Sequence, residues 1–343
     1  MNPWYKSQQP IIALAAIDGV SDTAFRQVCK SWGADVVFTE FIHSTGLIRS
    51  AKYRDPILKY DEIERPVIVQ IYGNNPEDFY KAALFTLNLG FDGVDINMGC
   101  PSKTVAGHGS GCALMRNPKL SAEIVKSVLK ARDEYTKEKN ILSKNKPVSV
   151  KMRIGYDEII GPEFAKVLAD AGAEALIVHG RTLKMGYAGL SNWEVIGQVA
   201  KAVPIPVIGN GDVKSSIEVI RAIELGCVGV TISRATFGNP FLFYEIKKEL
   251  GLDISQIEQN HPQILNEVNL KELSINLRLE TYLKHIELAF KDLGERGLIE
   301  SRKHISGYVN SFEHASDLRQ RLIFAKSIEE IKGIISNANL NIL

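Results

Sequence analysis

A cysteine followed by proline and a glycine-rich segment is the part of this sequence best suited to chemistry. Cys100 follows the short apolar run Gly93–Met98, and Pro101 prevents a regular continuation of that strand. Three glycines within residues 107–111 let backbone approach a ligand closely. A thiol at the end of a strand can act as a proton donor or as a nucleophile. The alternative is a structural cysteine, because free cysteines are among the most buried residues.

The composition is that of an ordinary globular protein, with 45% hydrophobic and 24% charged residues among 343. A net charge of +1 predicts no broadly basic surface, so any nucleic-acid site must be a local patch. The four cysteines include no CxxC pair that would indicate zinc or redox exchange, so we expect reduced thiols and no metal site. No signal peptide or membrane span is evident, so we expect a soluble, cytoplasmic protein.

Short apolar runs alternate with helix-length amphipathic segments from residue 10 to 250. The runs that predict strands are Ile11–Ile17, Val36–Phe41, Val67–Tyr72, Gly93–Met98, Val148–Arg153, Ala175–His179, Val207–Gly209 and Val228–Ser233. Their nearly continuous apolar character is typical of parallel strands that are buried on both faces. Eight such units predict an α/β fold, a closed (β/α)8 TIM barrel. The GxGxxG turn of an open dinucleotide-binding sheet does not follow the first run.

The pattern changes after about residue 245. Helical spacing is evident in 274–293, 316–324 and 327–335, and strand-like runs are not. We therefore expect a barrel catalytic domain at 1–245 and a small all-α C-terminal domain at 246–343. A polar linker is expected around 253–262.

Polar residues stand at the ends of most predicted strands, where barrels of this type place their active sites. They are Gln70, Asn97, Cys100, Lys151, Arg153, His179, Arg181, Asn210-Gly211-Asp212 and Ser233-Arg234. So many polar side chains at strand ends are hard to explain by packing, and they indicate one site at the mouth of the barrel.

The last two strand ends predict a phosphate site. Gly209-Asn210-Gly211-Asp212 and Ser233-Arg234 follow the seventh and eighth strands, where barrel enzymes often bind phosphate with loop amides. Arg234 would add charge-assisted hydrogen bonds. The alternative is that the glycines only make tight turns.

Lys151, Gln70 and His179 are candidates for holding a flavin ring. A lysine at the barrel mouth can bind electron-rich ring atoms and stabilise negative charge on the reduced ring. Gln70 can both donate and accept a hydrogen bond, which suits an amide edge of a ring. The alternative for His179 is a hydrogen-bonded core histidine.

Taken together, these segments resemble the tRNA-dihydrouridine synthase family of flavoenzymes over nearly the whole chain. Leu14–Asp22 is similar to the opening motif LAPMAGVTD of that family. The other segments that match in order and spacing are Glu40, Gln70–Gly73, Asn97–Val105, Lys151–Arg153, His179–Thr182, Asn210–Asp212 and Arg234-Ala235. The Asn-x-Gly-Cys-Pro match is highly specific. Two segments differ, because Ala16-Ile17-Asp18 replaces Pro-Met-Ala and Ser233 replaces glycine.

The resemblance implies an oxidoreductase that reduces the C5=C6 bond of uridines in tRNA to dihydrouridine, with FMN at the barrel mouth and NADPH or NADH as the electron donor. Cys100 would protonate C5 as a general acid. Residues implied for the cofactor are Ala16, Ile17, Asp18, Gln70, Lys151, His179, Asn210, Gly211, Asp212, Ser233 and Arg234. Asn97 and Arg181 are the candidates for contacting the uracil and its flanking phosphate.

The partner implied by the resemblance is tRNA. Arg302-Lys303-His304 is similar to the basic helix of the family's RNA-binding domain, so Arg302 and Lys303 are candidate tRNA contacts. The alternative is that this run of charges is only a solvated helix face. The target uridine must be extruded from the folded RNA to reach the barrel. No membrane and no protein partner are implied, so we expect a monomer.

Two other functions remain open from the sequence. A flavin barrel that acts on a free pyrimidine, such as a dihydroorotate-type dehydrogenase, would use the same phosphate site and thiol but would not need the helical domain. A non-catalytic RNA-binding protein on the same scaffold is a second alternative. The presence of Cys100, Lys151 and His179 argues against it.

Overall fold

A closed parallel barrel is the central feature of the computed structural model, which describes residues 2–5, 9–50, 57–266 and 274–341. Its strands are β1 Ile11–Leu14, β2 Val37–His43, β3 Val67–Tyr72, β4 Gly93–Met98, β5 Val148–Gly155, β6 Ala175–Thr182, β7 Val207–Asn210 and β8 Gly229–Ile232. Each strand pairs with the next in parallel, and β8 closes the barrel against β1. The predicted barrel is confirmed, and β3 and β4 have the predicted bounds.

Helices lie between most of these strands. They are α1 Thr23–Ser31, α2 Ser44–Arg49, α3 Pro76–Asn88, α4 Lys103–Gly107, α5 Pro118–Glu138, α6 Gly161–Asp170, α7 Trp193–Ala202 and α8 Ser216–Glu224. Local sequence sets several of their starts. Asn75 accepts two backbone amides at the start of α3, and Ser215 forms a capping box with Glu218 at the start of α8. The strand–helix alternation predicted from the sequence is thus built on ordinary capping signals.

A cluster of buried apolar side chains, mostly from the barrel strands, forms part of the core. Its buried residues are Trp4, Ile11, Ala13, Val36, Phe38, Ile68, Ala175, Ile177 and Ile208. Trp4 stacks on Phe38 with ring centroids 6.0 Å apart. Further along the strands, polar side chains replace these apolar ones, as described below. The interior is therefore a packed core that carries chemistry only toward the C-terminal ends of its strands.

Grouped by their contacts, the residues form two compact units, one of Met1–Asp22 and Asp35–Ser233 and the other of Thr23–Ala34 and Arg234–Leu343. The first unit contains the barrel strands. Helix α1 belongs to the second, helical unit, although it lies between β1 and β2 in the sequence. The assignment of catalysis to residues 1–245 and of tRNA binding to residues 246–343 stays a prediction.

The helical unit contains α1 and the helices that follow the barrel. These later helices are α9 Leu242–Glu249, α10 Ser255–Asn260, α11 Ile275–Leu293, α12 Glu295–Ser301, α13 Ile305–Tyr308, α14 Ala315–Phe324 and α15 Ile328–Asn341. Trp32, Phe241, Tyr244, Tyr282 and Tyr308 are prominent in its apolar core. The predicted polar linker at 253–262 was wrong, because α10 lies within it. Across the described residues, we find no helix with the length and apolar character that crossing a membrane requires.

Candidate active site

The backbone around Cys100 is held from two directions. β4 ends at Met98, and the Asn97 side-chain oxygen accepts the backbone amides of Gly99 at 3.0 Å and Cys100 at 2.9 Å. The Cys100 carbonyl accepts the backbone amide of Cys112 at 3.2 Å. Gly111 has φ +58°, and a Cβ added there would lie 3.0 Å from that carbonyl oxygen. A glycine is required at this close approach, and the thiol stands on a fixed turn.

The Cys100 thiol is half-buried and favours its protonated form. Burial raises its pKa above the ordinary thiol value, and the carboxylate of Asp18 raises it further. A hydrogen bond from the Ser102 backbone and the positive charges of Lys151 and Arg153 lower it, with less effect than burial. At neutral pH the group is a neutral thiol that can donate a proton.

The predicted cofactor residue Gln70 and substrate residue Asn97 are both buried and bonded to each other. Asn97 Nδ2 donates to Gln70 Oε1 at 2.7 Å, and Gln70 Nε2 donates to Asp95 Oδ2 at 2.7 Å. Asp95 is fully buried and is not among the site residues predicted from the sequence. The signal was available, because an aspartate within the apolar strand Gly93–Met98 must have a buried hydrogen-bonding partner.

Lys151 and Arg153 are two residues apart on β5 and therefore lie on the same face of the strand. Lys151 is half-buried, and its ammonium has no hydrogen-bond or ion-pair partner among the described residues. Burial and the neighbouring Arg153 charge lower the pKa of Lys151 to about 8, against the attraction of Asp95. An ammonium in this setting is available to bind a ligand.

Arg153 is buried and joins two loops at the barrel mouth. Its guanidinium donates to the Gly99 carbonyl at 2.9 Å, and to the Thr182 and Gly186 carbonyls at 2.8 and 3.1 Å. The first of these carbonyls directly precedes Cys100. Arg153 therefore ties the loop that carries the thiol to the loop that follows β6.

His179 and Arg181 lie two residues apart on β6 and both are buried. Arg181 Nη2 binds Asp212 Oδ2 at 2.7 Å and the Gly189 carbonyl at 2.6 Å. Its Nη1 lies 3.4 Å from His179 Nε2. These bonds occupy much of the Arg181 guanidinium, and the predicted substrate contact by Arg181 stays a prediction.

The predicted phosphate-binding segment 210–212 makes a tight turn after β7. Asn210 Nδ2 donates to the Thr231 carbonyl at 3.0 Å and to Ser233 Oγ at 3.2 Å. Gly211 has φ +119°, and a Cβ added there would lie 2.9 Å from His179 Cδ2. The same Cβ would overlap with Ser191 Oγ, so only glycine fits this tightly packed turn between the ends of β6 and β7.

The segment after β1, predicted to present backbone to the cofactor, forms a turn at the same end of the barrel. Ile17 donates its backbone amide to Ser21 Oγ at 2.9 Å, and Ser21 Oγ donates to the Ile17 carbonyl at 3.1 Å. Ala16 and Ile17 are half-buried and Asp18 is exposed. Asp18 acts electrostatically on Cys100, so this turn belongs to the surroundings of the thiol.

Three predicted contacts lie in the helical unit. Arg234 is its first residue after the barrel. Lys303 is exposed, whereas Arg302 is half-buried and donates to the Ala325 carbonyl at 3.1 Å. His304 is only 1% exposed, so its place in a basic RNA-binding run was wrong. Its ring packs between Phe25 and other aromatic side chains of the helical core.

Comparison with known proteins decides the family. The model of the dihydrouridine synthase family matches residues 13–339. The chain belongs to the dihydrouridine synthase family. This makes it an oxidoreductase by class. The match spans both the barrel strands and the later helices.

Relatives of this dihydrouridine synthase occur in several bacteria. The probable tRNA-dihydrouridine synthase 1 of Synechocystis is 32% identical, with 94% of this chain and 84% of that protein covered. The tRNA-dihydrouridine synthase B of Pseudomonas aeruginosa is 33% identical, with 90% and 86% covered. Among solved structures, a variant of NCR from Zymomonas mobilis matches with a TM-score of 0.50, 15% identity, and 76% and 96% coverage. That likeness concerns the fold alone.

Proposed function

We propose that this protein is a tRNA-dihydrouridine synthase that uses FMN and NADPH, with Cys100 as the proton donor. The observation that supports it best is a neutral thiol on a fixed turn at a strand end, beside an ammonium that no protein group binds among the described residues. Reduction of a C=C bond needs a proton on one carbon and a hydride on the other. The thiol can donate the proton, and the ammonium can bind the group that carries the hydride.

The polar groups at the barrel mouth fit FMN. Besides the Lys151 ammonium, the buried Thr231 hydroxyl has no hydrogen-bond partner among the described residues. FMN, when bound, would supply the hydride. Lys151 and Gln70 would bind its ring and Ser233 its phosphate.

Several protein groups prepare the donor atom, Sγ of Cys100. Burial keeps the proton on the sulfur until a substrate carbon accepts it. The Ser102 backbone hydrogen bond and the charges of Lys151 and Arg153 then stabilise the thiolate that remains. The half-exposed thiol can recover its proton from solvent.

The proposed substrate is a uridine within tRNA, which the names of the relatives support. The base must leave its stack to reach the thiol. Asn97 Nδ2 retains one N–H for the uracil, because only the other donates to Gln70. Arg181 would act on the bound RNA through the loop it holds. We further propose that the helical residues 246–343, with Lys303, bind tRNA, and that the enzyme works as a cytoplasmic monomer.

The test is NADPH oxidation by the purified protein with an unmodified tRNA transcript, followed by mass spectrometry of the nucleosides. We expect a yellow protein, NADPH consumption that depends on the transcript, and uridines that gain two hydrogens. The matched control is the same tRNA after complete modification, which should support no turnover. Equal turnover with free uracil or orotate would contradict the proposal and favour the free-pyrimidine enzyme.

A further inference from the structure

Four buried side chains form an unbroken chain of hydrogen bonds that ends at the thiol loop. Asp95 accepts from Ser149 Oγ at 2.6 Å on one oxygen and from Gln70 Nε2 at 2.7 Å on the other. Gln70 Oε1 accepts from Asn97 Nδ2 at 2.7 Å, and Asn97 Oδ1 accepts the Cys100 backbone amide at 2.9 Å. We call Ser149, Asp95, Gln70 and Asn97 the amide chain.

The register of the barrel places these side chains side by side. Gln70 of β3 lies opposite Asp95 of β4, which lies opposite Ser149 of β5. Asn97 is two residues beyond Asp95 and therefore points to the same face of β4. All four side chains are at least 96% buried. Water does not compete for these bonds, so each donor must face an acceptor within the chain.

The two ends of the amide chain impose one direction on it. Backbone N–H groups can only donate, so Asn97 must turn its oxygen toward Cys100 and its Nδ2 toward Gln70. Gln70 must then offer Oε1 to Asn97 and Nε2 to Asp95. The Asp95 oxygen at the far end completes the series as an acceptor. Loss of that acceptor leaves a buried donor on Gln70 unpaired and permits both amides to reorient.

We propose that Asp95 is a positioning residue that acts through Gln70 and Asn97 to fix the backbone at Cys100 and so the place of its thiol. It touches neither the thiol nor a ligand site directly. The inference deepens the proposed function and rests on it only for the role of the thiol in turnover. The position of the thiol itself is testable without turnover.

The first test compares Asp95→Leu, which removes the acceptor, with Asp95→Asn, which keeps an oxygen for Gln70 and can donate to Ser149. The readouts are the rate of Cys100 alkylation by iodoacetamide and the turnover of tRNA. Alkylation reports on Cys100 because the other three cysteines are buried. A Cys100→Ala variant gives the background rate.

We expect Asp95→Leu to change the alkylation rate at least about fivefold and to lower kcat at least about tenfold, because small displacements of a reacting group have large effects on rate. KM for tRNA should stay within about threefold, since the helical residues proposed to bind most of the tRNA are unchanged. Asp95→Asn should stay within about threefold of wild type in each readout, because its hydrogen bonds persist. Equal effects of both variants would show that the charge matters rather than the acceptor, and would overturn the proposal.

A second test covers the case in which Asp95→Leu does not fold. Asn97→Asp places a carboxylate oxygen opposite Gln70 Oε1, where a donor is needed. Gln70 then lies between two carboxylates, and its amide can donate to only one of them in either orientation. Adding Asp95→Asn restores the amide chain in reverse, because the new side-chain amide at position 95 donates to Gln70 and Gln70 donates to the new carboxylate at position 97. We expect Asn97→Asp to slow alkylation at least about fivefold and the double variant to return within about twofold of wild type.

Recovery of thiol reactivity in the double variant supports the proposal even if that variant has no turnover, since Asn97 is also a candidate substrate contact. A double variant that alkylates as slowly as Asn97→Asp would overturn the proposal. So would a wild-type alkylation rate and kcat in Asp95→Leu. If the protein lacks activity on tRNA altogether, the proposed function fails, while the alkylation rates still decide whether Asp95 positions Cys100.

Discussion

Arg181 and Asp212 form an ion pair between the ends of two neighbouring strands, with 2.7 Å between Nη2 and Oδ2. The same Asp212 oxygen accepts the backbone amide of Ser191 at 2.9 Å. Arg181 also donates to the carbonyls of Ala188 and Gly189 at 3.3 and 2.6 Å. One carboxylate and one guanidinium therefore hold residues 188–191, the part of the loop that leads into α7.

Replacement of Asp212 by asparagine should destabilise the protein by about 2 kcal/mol, because the nearly buried Arg181 loses its counter-charge while the partner position is partly exposed. Asparagine tolerates the positive φ of 56° at this position, so backbone strain does not confuse the result. Urea unfolding measures the change. The control is Arg221→Met, which breaks an exposed pair with Glu194 and should cost less than about 0.5 kcal/mol. Equal losses in the two variants would argue against a structural role for the Arg181 pair.

The Cys100→Ala variant should retain its flavin and lose turnover by about 10²- to 10⁴-fold, the contribution typical of a positioned general acid. Absorbance of the purified protein gives the flavin content, and dihydrouridine formation gives the rate. Reduction of the flavin by NADPH should be unchanged, because it needs no proton from the thiol. Cys227→Ala is a matched control, since Cys227 is buried elsewhere in the barrel unit. Full turnover in Cys100→Ala would exclude Cys100 as the proton donor.

The affinity for FMN should fall as the pH rises through 8. The pKa of Lys151 is lowered to about 8, so the ammonium is charged below that pH and neutral above it. A neutral lysine loses its attraction for electron-rich ring atoms and for the anionic cofactor. Titration of flavin-free protein with FMN between pH 7 and 9 measures the effect. Lys151→Met should bind more weakly and with a flat pH profile in this range, and an unchanged profile in that variant would assign the titration to another group.

The sequence predicted the barrel and the ends of its strands well, because buried parallel strands are apolar on both faces and most of their polar residues lie near the ends. Asp95, in the middle of β4, is an exception. The sequence also predicted that Cys100, Lys151 and His179 lie at the same end of the barrel. Two features needed the structure. Arg181 donates hydrogen bonds to backbone carbonyls of the loop that follows its strand. The pattern of side chains in the sequence does not predict such bonds. The sequence Arg302-Lys303-His304 predicts a uniform basic surface. The burial of His304 depends instead on how the helices pack, which this short pattern does not predict.

The two basic residues of that run should respond differently to substitution. Lys303 is exposed, so Lys303→Ala should weaken tRNA binding and reduce its salt dependence by about one counterion. Arg302 binds the Ala325 carbonyl, so Arg302→Ala should mainly lower thermal stability. Filter binding at several salt concentrations and thermal melts separate the two effects. Unchanged tRNA affinity in Lys303→Ala would remove Lys303 from the proposed tRNA-binding surface.

The helical unit should lose stability in acid because it buries neutral histidines. His285 and His304 are 1% exposed, and their ring centroids lie 4.8 Å apart. Burial lowers the pKa of His285 to about 3, and burial and the His285 charge lower that of His304 well below its ordinary value. Unfolded histidine has a pKa of about 6.5. Between pH 6.5 and about 3 the unfolded chain therefore binds more protons than the folded one.

The free energy of unfolding should accordingly be highest above pH 6.5 and fall as the pH drops, by up to ~1.4 kcal/mol per pH unit for each buried histidine. Chemical denaturation at a series of pH values, followed by circular dichroism of the helices, measures this slope. His285→Gln should make the slope shallower by one histidine, because glutamine does not titrate. The control is His314→Asn, since His314 is exposed and its φ of 62° suits asparagine, so its slope should match wild type. A His285→Gln slope equal to that of wild type would show that His285 does not contribute to the acid sensitivity.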